Sequence, residues 1–177
     1  MSSSDSRQPV TALAPRSLGR PHVWDDLPLQ KLWLATQRRE WRSLAVIAAS
    51  SGVDTLPIAE LLAHAAWSYR GHPSCVFDLR DLGLRLAAHQ MREVRMQIDA
   101  GVSVLIALRA TSENPTAVAV ARQADAVVLC IRMGETRLKS AERTIAEIGR
   151  DHVLGSIVVR AHDHKAPAAP KKDAPPR

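Results

Sequence analysis

The sequence predicts an α/β fold of three layers, a mostly parallel sheet with helices on both faces. Three observations lead there. Aliphatic runs of five to seven residues alternate with stretches of helical periodicity between residues 29 and 159. Aromatic residues make up only 3% of the chain, and four of those six are Trp, so the core must be built from Leu, Ile, Val and Ala. Uninterrupted aliphatic runs suit strands buried on both faces, as parallel sheets require. Strand–helix–strand alternation at this spacing also supplies the crossovers that parallel neighbours need.

The elements follow in order. Residues 1–22 are rich in Ser, Pro and Arg, lack periodicity and read as a disordered arm. Residues 29–42 read as an amphipathic helix with Leu29, Leu32, Trp33 and Thr36 on one side. Residues 44–49 form the first strand, broken by the Ser50-Ser51-Gly52-Val53-Asp54 turn. Asp54 or Thr55 can cap the next helix, and Pro57 is tolerated in its first turn. That helix runs to about Tyr69 and stops at Gly71-His72-Pro73. Residues 75–79 form a second strand. Residues 84–101 form a helix expected to bury Leu86, Met91, Val94 and Ile98. A third strand spans 102–108, a loop 111–115, a short helix 116–123 and a fourth strand 126–131. Residues 135–149 form a helix with Leu138, Ala141, Ile145 and Ile148 inward, and 153–159 the last strand. Residues 161–177 are a Pro/Ala/Lys tail expected to be disordered, which leaves one folded domain over 23–160.

Composition narrows the class. With 177 residues, 46% hydrophobic and 24% charged, the chain fits one soluble domain. No apolar stretch approaches the ~20 residues of a membrane helix, and no apolar segment follows the N-terminal charges as in a signal peptide. A cytoplasmic location is expected, with membrane association only through a partner. Cys75 and Cys130 each lie in apolar runs and form no C-x-x-C pair, so they read as buried small hydrophobes. His162-Asp163-His164 offers few donors, and no metal site is expected. The net charge of +6 is scattered, with one cluster at Arg38, Arg39 and Arg42 and another at Lys165, Lys171 and Lys172. A basic balance drawn from an Arg-rich proteome explains it; an anionic partner, whether DNA or other nucleic acid, a membrane surface or a polysaccharide, is the alternative. Trp24, Trp33, Arg38, Arg39, Trp41 and Arg42 either pack the core and decorate it, or form a partner-binding surface, since Trp and Arg favour hot spots.

The segment from Ala121 to Arg137 reads ARQADAVVLCIRMGETR, and Val153-Leu154-Gly155-Ser156-Ile157-Val158-Val159 follows. In that order these segments resemble the MinD/ParA-like P-loop ATPases. They are closest to the bacterial tyrosine kinases of capsule and exopolysaccharide synthesis. The resemblance implies a P-loop NTPase-like domain over about residues 29–160. A working loop of that family reads roughly P-G-E-G-K-S-T; its N–H groups cradle phosphates, its Lys neutralises them and its hydroxyl holds Mg²⁺. Laid on without gaps, this chain offers Ser51-Gly52-Val53-Asp54-Thr55-Leu56-Pro57. Gly52 is kept. Asp54 replaces the second Gly, Thr55 the Lys and Leu56 the Mg²⁺ hydroxyl, while Pro57 removes an N–H donor. The family's I-D-x-D-x-R motif becomes Phe77-Asp78-Leu79-Arg80, so Asp78 remains and Arg80 replaces the second Asp. Asp78 is expected to cap or to pair with Arg80. Ala107 stands where the Walker B Asp belongs, and where the family ends in a Tyr cluster this chain has Lys and Pro, its single Tyr being Tyr69 within a predicted helix.

The resemblance thus implies a catalytically inactive, P-loop-derived protein that binds or regulates a partner in exopolysaccharide or capsule synthesis or export. No cofactor is expected, ATP and Mg²⁺ included. The implied partner is a polysaccharide copolymerase, a related kinase or a second copy. The former nucleotide face, with Gly52, Asp54, Asp78, Arg80 and Arg109, is a candidate contact. Two alternatives stay open: an ATPase or kinase with a non-standard site, and a ParA/MinD-like or recombination- or division-associated accessory protein on DNA.

Overall fold

Each of the five aliphatic runs becomes a strand of one sheet. A computed structural model of the protein describes residues 27–71 and 73–160. The expected arms at 1–22 and 161–177, and Trp24, lie outside the described residues. The elements are α1 (Leu27–Thr36), β1 (Ser43–Ala48), α2 (Leu56–Arg70), β2 (Ser74–Asp78), α3 (Leu84–Asp99), β3 (Ser103–Leu108), α4 (Thr116–Ala121), β4 (Ala126–Arg132), α5 (Leu138–Ile148) and β5 (Val153–Val159). The strand order is β2-β3-β1-β4-β5, and every pairing is parallel.

The sheet separates two cores. On one side Trp33 of α1 and Ala59, Leu62 and Ala66 of α2 pack on Leu44, Val46 and Ala107. On the other, α3, α4 and α5 bring Met91, Val94, Val120, Ala141 and Ile148 onto Ile47, Ile106 and Leu129. All six residues of β1 and of β3 are buried, which is why both read as continuous apolar runs. Truncating one of their fully buried residues, such as Leu105 or Ile106, to Ala is expected to cost ~2–5 kcal/mol. Cys75 and Cys130 are buried free thiols. Burial pushes Cys75 up to about 11 and Cys130 up to about 12, which keeps both unreactive.

Three expectations are corrected. The first helix stops at Thr36 instead of running to Arg42. A turn closes there, with Gln37 N–H donating to Leu34 O, and the Trp41 indole N–H donates back to Thr36 O at 3.0 Å. In α3 the buried face falls on Ala87, Met91 and Val94, while Leu86 is 58% exposed. Ala87, Met91 and Val94 recur at i, i+4 and i+7, and Leu86 falls one position, about 100°, off that stripe. The last helix begins at Leu138, which is 74% exposed; Ala141, Thr144 and Ile148 form its buried stripe. The residues before it form a turn, with Gly134 at φ +80° and Arg132 N–H donating to Thr136 Oγ1 at 2.9 Å.

Candidate functional site

β1 and β3 are neighbours, with Val46 opposite Ala107 and Ile47 opposite Leu108. The loop after β1 therefore meets the ends of β3 and β2. Asp78 closes β2 opposite Ala107, and Leu79 N–H donates to Ala107 O at 3.0 Å. The structure thus brings Gly52, Asp54, Thr55, Leu56, Asp78, Arg80 and Ala107 to the carboxyl ends of adjacent strands, where parallel α/β sheets place their ligands.

The loop is folded onto the protein itself. Gly52 adopts φ +79°, a left-handed conformation that suits Gly. Val53 turns into the α2-side core. Thr55 is fully buried, and its hydroxyl donates to Leu108 O at 2.9 Å instead of capping α2. Asp54 caps from one residue earlier, its Oδ1 accepting Leu56 N–H at 3.2 Å. A carboxylate at the amino end of α2 also complements the helix dipole.

Arg80 holds that carboxylate. It donates to Asp54 Oδ1 at 2.6 Å and forks onto both oxygens of Asp78 at 2.7 Å. The hydrogen bond from Arg80 pulls the Asp78 carboxyl below its ordinary value, against a smaller opposing effect of burial. The same bond makes the Arg80 guanidinium a still weaker acid than usual. Alongside, Arg109 Nε donates to Asp81 Oδ1 at 2.8 Å. Asn114 Nδ2 donates to the carbonyls of Arg80 and Leu82 at 3.1 and 3.0 Å, and its Oδ1 accepts Thr116 N–H.

The other flank is strapped by the loop after β4. The hydroxyls of Ser50 and Thr136 share a hydrogen bond of 2.8 Å. Arg132 lies across the turn, donating to Gly52 O and to Glu135 Oε2. Ala107, fully buried, presents no donor or acceptor side chain. Of two open clefts among the described residues, about 790 and 420 Å³, the first is lined by residues such as Arg39 and Gly101 and the second by Leu84 and Arg95; the Ser50 loop lines neither. Among the described residues no group of three His, Cys, Asp or Glu side chains is placed to hold a metal ion.

Asp81, Asn114, Arg132, Glu135 and Thr136 escaped the reading of the sequence as site residues. Asn114-Pro115 before a helix is a turn signal that could have flagged Asn114. The Arg132 strap joins residues 80 positions apart and leaves no local signal.

The opposite end of the sheet corrects the partner surface. Trp33 and Trp41 are 5% and 3% exposed, so they are core residues and not surface anchors. Their rings meet edge to face at 6.2 Å, and Tyr69 stacks on Trp33 at 5.7 Å. The Arg70 guanidinium lies 4.3 Å from the Trp41 ring and donates to Trp41 O and Gln37 Oε1. Burial lowers the Arg70 pKa, with Glu40 opposing. Arg38, Arg39 and Arg42 are exposed, and Arg39 donates to Asp151 O at 3.0 Å.

The five-stranded parallel sheet with helices on both faces is an α/β architecture that solved kinase-domain structures share. The kinase domain of Escherichia coli tyrosine kinase ETK matches with a TM-score of 0.60 at 14% identity, covering 82% of this chain and 77% of that one. The chimerical protein CapA2B2 matches with a TM-score of 0.56 at 11% identity, covering 74% of this chain and 80% of that one. At these identities the likeness establishes the fold. No family model and no curated protein matches the sequence. No helix among the described residues is long and apolar enough to cross a membrane.

Proposed function

We propose that this domain is a P-loop-derived protein without phosphoryl chemistry, retained as a binding or regulatory partner in exopolysaccharide or capsule synthesis or export. One observation carries the reading. The Asp54 carboxylate sits at the amino end of α2, gripped by Leu56 N–H and Arg80, where a P-loop would hold phosphate. The chain supplies its own anion, and a polyphosphate approaching the same N–H groups meets a like charge. The family's lysine position is Thr55, whose buried hydroxyl faces Leu108 O and not a ligand. The kinase-like fold and the sequence resemblance support the pathway; a copolymerase's cytoplasmic segment or an active kinase is the partner class.

The exposed face around Asp54, Asp78, Asp81 and Arg109 is the contact this reading favours. The arginines of that face, Arg80 and Arg109, are already paired with Asp54, Asp78 and Asp81, which makes the face a poor match for a DNA backbone. Isothermal titration of the full chain with ATP and Mg²⁺ tests the proposal. No binding heat is expected at millimolar nucleotide, and micromolar affinity would overturn it.

A further inference from the structure

α3 and α4 are neighbours on one face of the sheet, and they are unequal in length. α4 has six residues against sixteen in α3, about 9 Å of helix against about 24 Å, so part of the α3 flank has no helical neighbour. The open cleft of about 420 Å³ lies along that flank. Leu84, Ala88, Met91 and Arg95 line it at i, i+4, i+7 and i+11, a single stripe about 16 Å long. Its floor is apolar and shallow in bulk: Ala87 and Met91 are buried, and Ala87 and Ala88 carry only a methyl group. Leu84 stands at one end, 71% exposed. Arg92 and Arg95, both exposed, stand at the other. Among the described residues no carboxylate lines the cleft, and its remaining polar lining is Gln123. Neither arginine pairs with a carboxylate of the described residues. Glu93 lies off the stripe and faces His89 at 3.9 Å, and Asp99, one turn past Arg95, forms no ion pair with it. Arg122, beside Gln123, donates to Glu147 O.

We propose that this groove docks a short acidic amphipathic helix of a partner protein, with apolar side chains against Leu84 and Met91 and carboxylates against Arg92 and Arg95. The inference goes beyond the reading of the phosphate loop and does not rest on it. Charge and shape select the occupant. Exposed cations without anions, beside an apolar floor, match a segment that carries carboxylates beside apolar groups. Guanidiniums also pair with carboxylates through two parallel hydrogen bonds, which fixes the register of the docked segment. A three-turn stripe along one helix is the footprint of a second helix, whose own i, i+3, i+4 and i+7 positions face it. The methyl-sized side chains of Ala87 and Ala88 let that helix approach α3 closely. A membrane surface is flat and does not enter the cleft to reach buried Ala87 and Met91. A DNA backbone gains nothing from the exposed Leu84. One helix three turns long covers less than the ~800 Å² per partner of a standard interface, so micromolar affinity is expected.

The probe is a fluorescent Ala-based helix of about 15 residues, with two Leu four positions apart and Glu residues two turns further on. Its binding to the full chain is read by fluorescence anisotropy. A chain of net charge +6 attracts any acidic peptide, so the substitutions carry the test. Leu84→Ser, Ala88→Glu and the pair Arg92→Glu, Arg95→Glu should each weaken binding at least tenfold with an unchanged far-UV spectrum, since all four positions are exposed. The pair Arg38→Glu, Arg42→Glu removes the same charge outside the groove and should weaken binding less than threefold. A peptide with Lys in place of Glu should bind only the chain carrying Arg92→Glu and Arg95→Glu. Absence of binding by the acidic peptide at about 1 mM would overturn the proposal. Equal losses from the two arginine pairs would overturn it too. Co-sedimentation with phosphatidylserine–phosphatidylcholine vesicles that the groove substitutions abolish would overturn it in favour of a membrane surface.

Discussion

Each end of the sheet is closed by an aspartate that accepts backbone N–H groups, and the two work in different surroundings. At the amino ends, Asp125 Oδ2 accepts Arg42 N–H, Ser43 N–H and the Ser43 hydroxyl at 2.8 to 3.0 Å. Ser43 Oγ accepts Asp125 N–H in return, which locks the start of β1 to the start of β4. At the carboxyl ends, Asp54 accepts one N–H and one guanidinium hydrogen bond, and its side chain is 60% exposed. The first arrangement joins strands far apart in sequence. The second closes a helix end that a ligand could otherwise use. An aspartate bonded to backbone at the sheet's base is therefore scaffolding, whereas the same residue type at the loop sets the charge of an exposed surface.

The sharpest way to break this contrast is Thr55→Lys, which restores the family's lysine. Position 55 is fully buried, so the ammonium would be desolvated and Leu108 O left without its donor. A loss of roughly 3 kcal/mol or more is expected in urea unfolding, with no gain of ATP binding. Asp125→Ala should come next, at about 2–3 kcal/mol, because three hydrogen bonds to a carboxylate disappear. The pH dependence has a definite sign. Burial of Asp125 favours the neutral acid, but the N–H groups of Arg42 and Ser43 and the Ser43 hydroxyl outweigh it, and its pKa is lowered. Its stabilisation is therefore complete above the unfolded carboxyl value of ~3.9 and lost as pH falls through the folded value. Asp125→Asn should flatten that part of an acid titration of stability.

Arg70→Ala removes the cation between two indoles and its hydrogen bonds to Gln37 and Trp41. About 1–2 kcal/mol and a shifted Trp emission are expected. Arg80→Ala should have the smallest effect, under ~1 kcal/mol, since Asp54 and Asp78 are substantially exposed. If the Arg80 grip on Asp54 sets the surface, a partner that docks on this face should bind Arg80→Ala more weakly, while Asp125→Asn leaves binding intact at a pH where it is folded.

Much of the scaffold is legible in the sequence. β5 matches the predicted 153–159 residue for residue, and the other strands shift by at most a residue at either end, because buried aliphatic runs announce themselves. Helix faces were less legible. Leu86 and Leu138 have the hydropathy of core residues yet point outward, while Ala87 and Thr144 are buried. Hydropathy ranks side chains, but the rotation at which each helix docks on the sheet decides which of them are buried. At the candidate site, the pairing of Asp78 with Arg80 was foreseeable from two positions of separation. The grip of Arg80 on Asp54, 26 positions away, was not.

The sequence by itself therefore determined a parallel α/β sheet, because chain-local periodicity and aliphatic runs encode it. It also determined the residues standing at Asp54, Thr55, Leu56, Arg80 and Ala107. Only the tertiary structure decided what those residues do: Thr55 buried on a neighbouring strand, Asp54 held at the amino end of α2, and Arg132 laid across Gly52. It also buried Trp33 and Trp41 together and left β5 at an edge. Those outcomes depend on contacts between segments distant in the chain, whose geometry exists only once the sheet has ordered its strands.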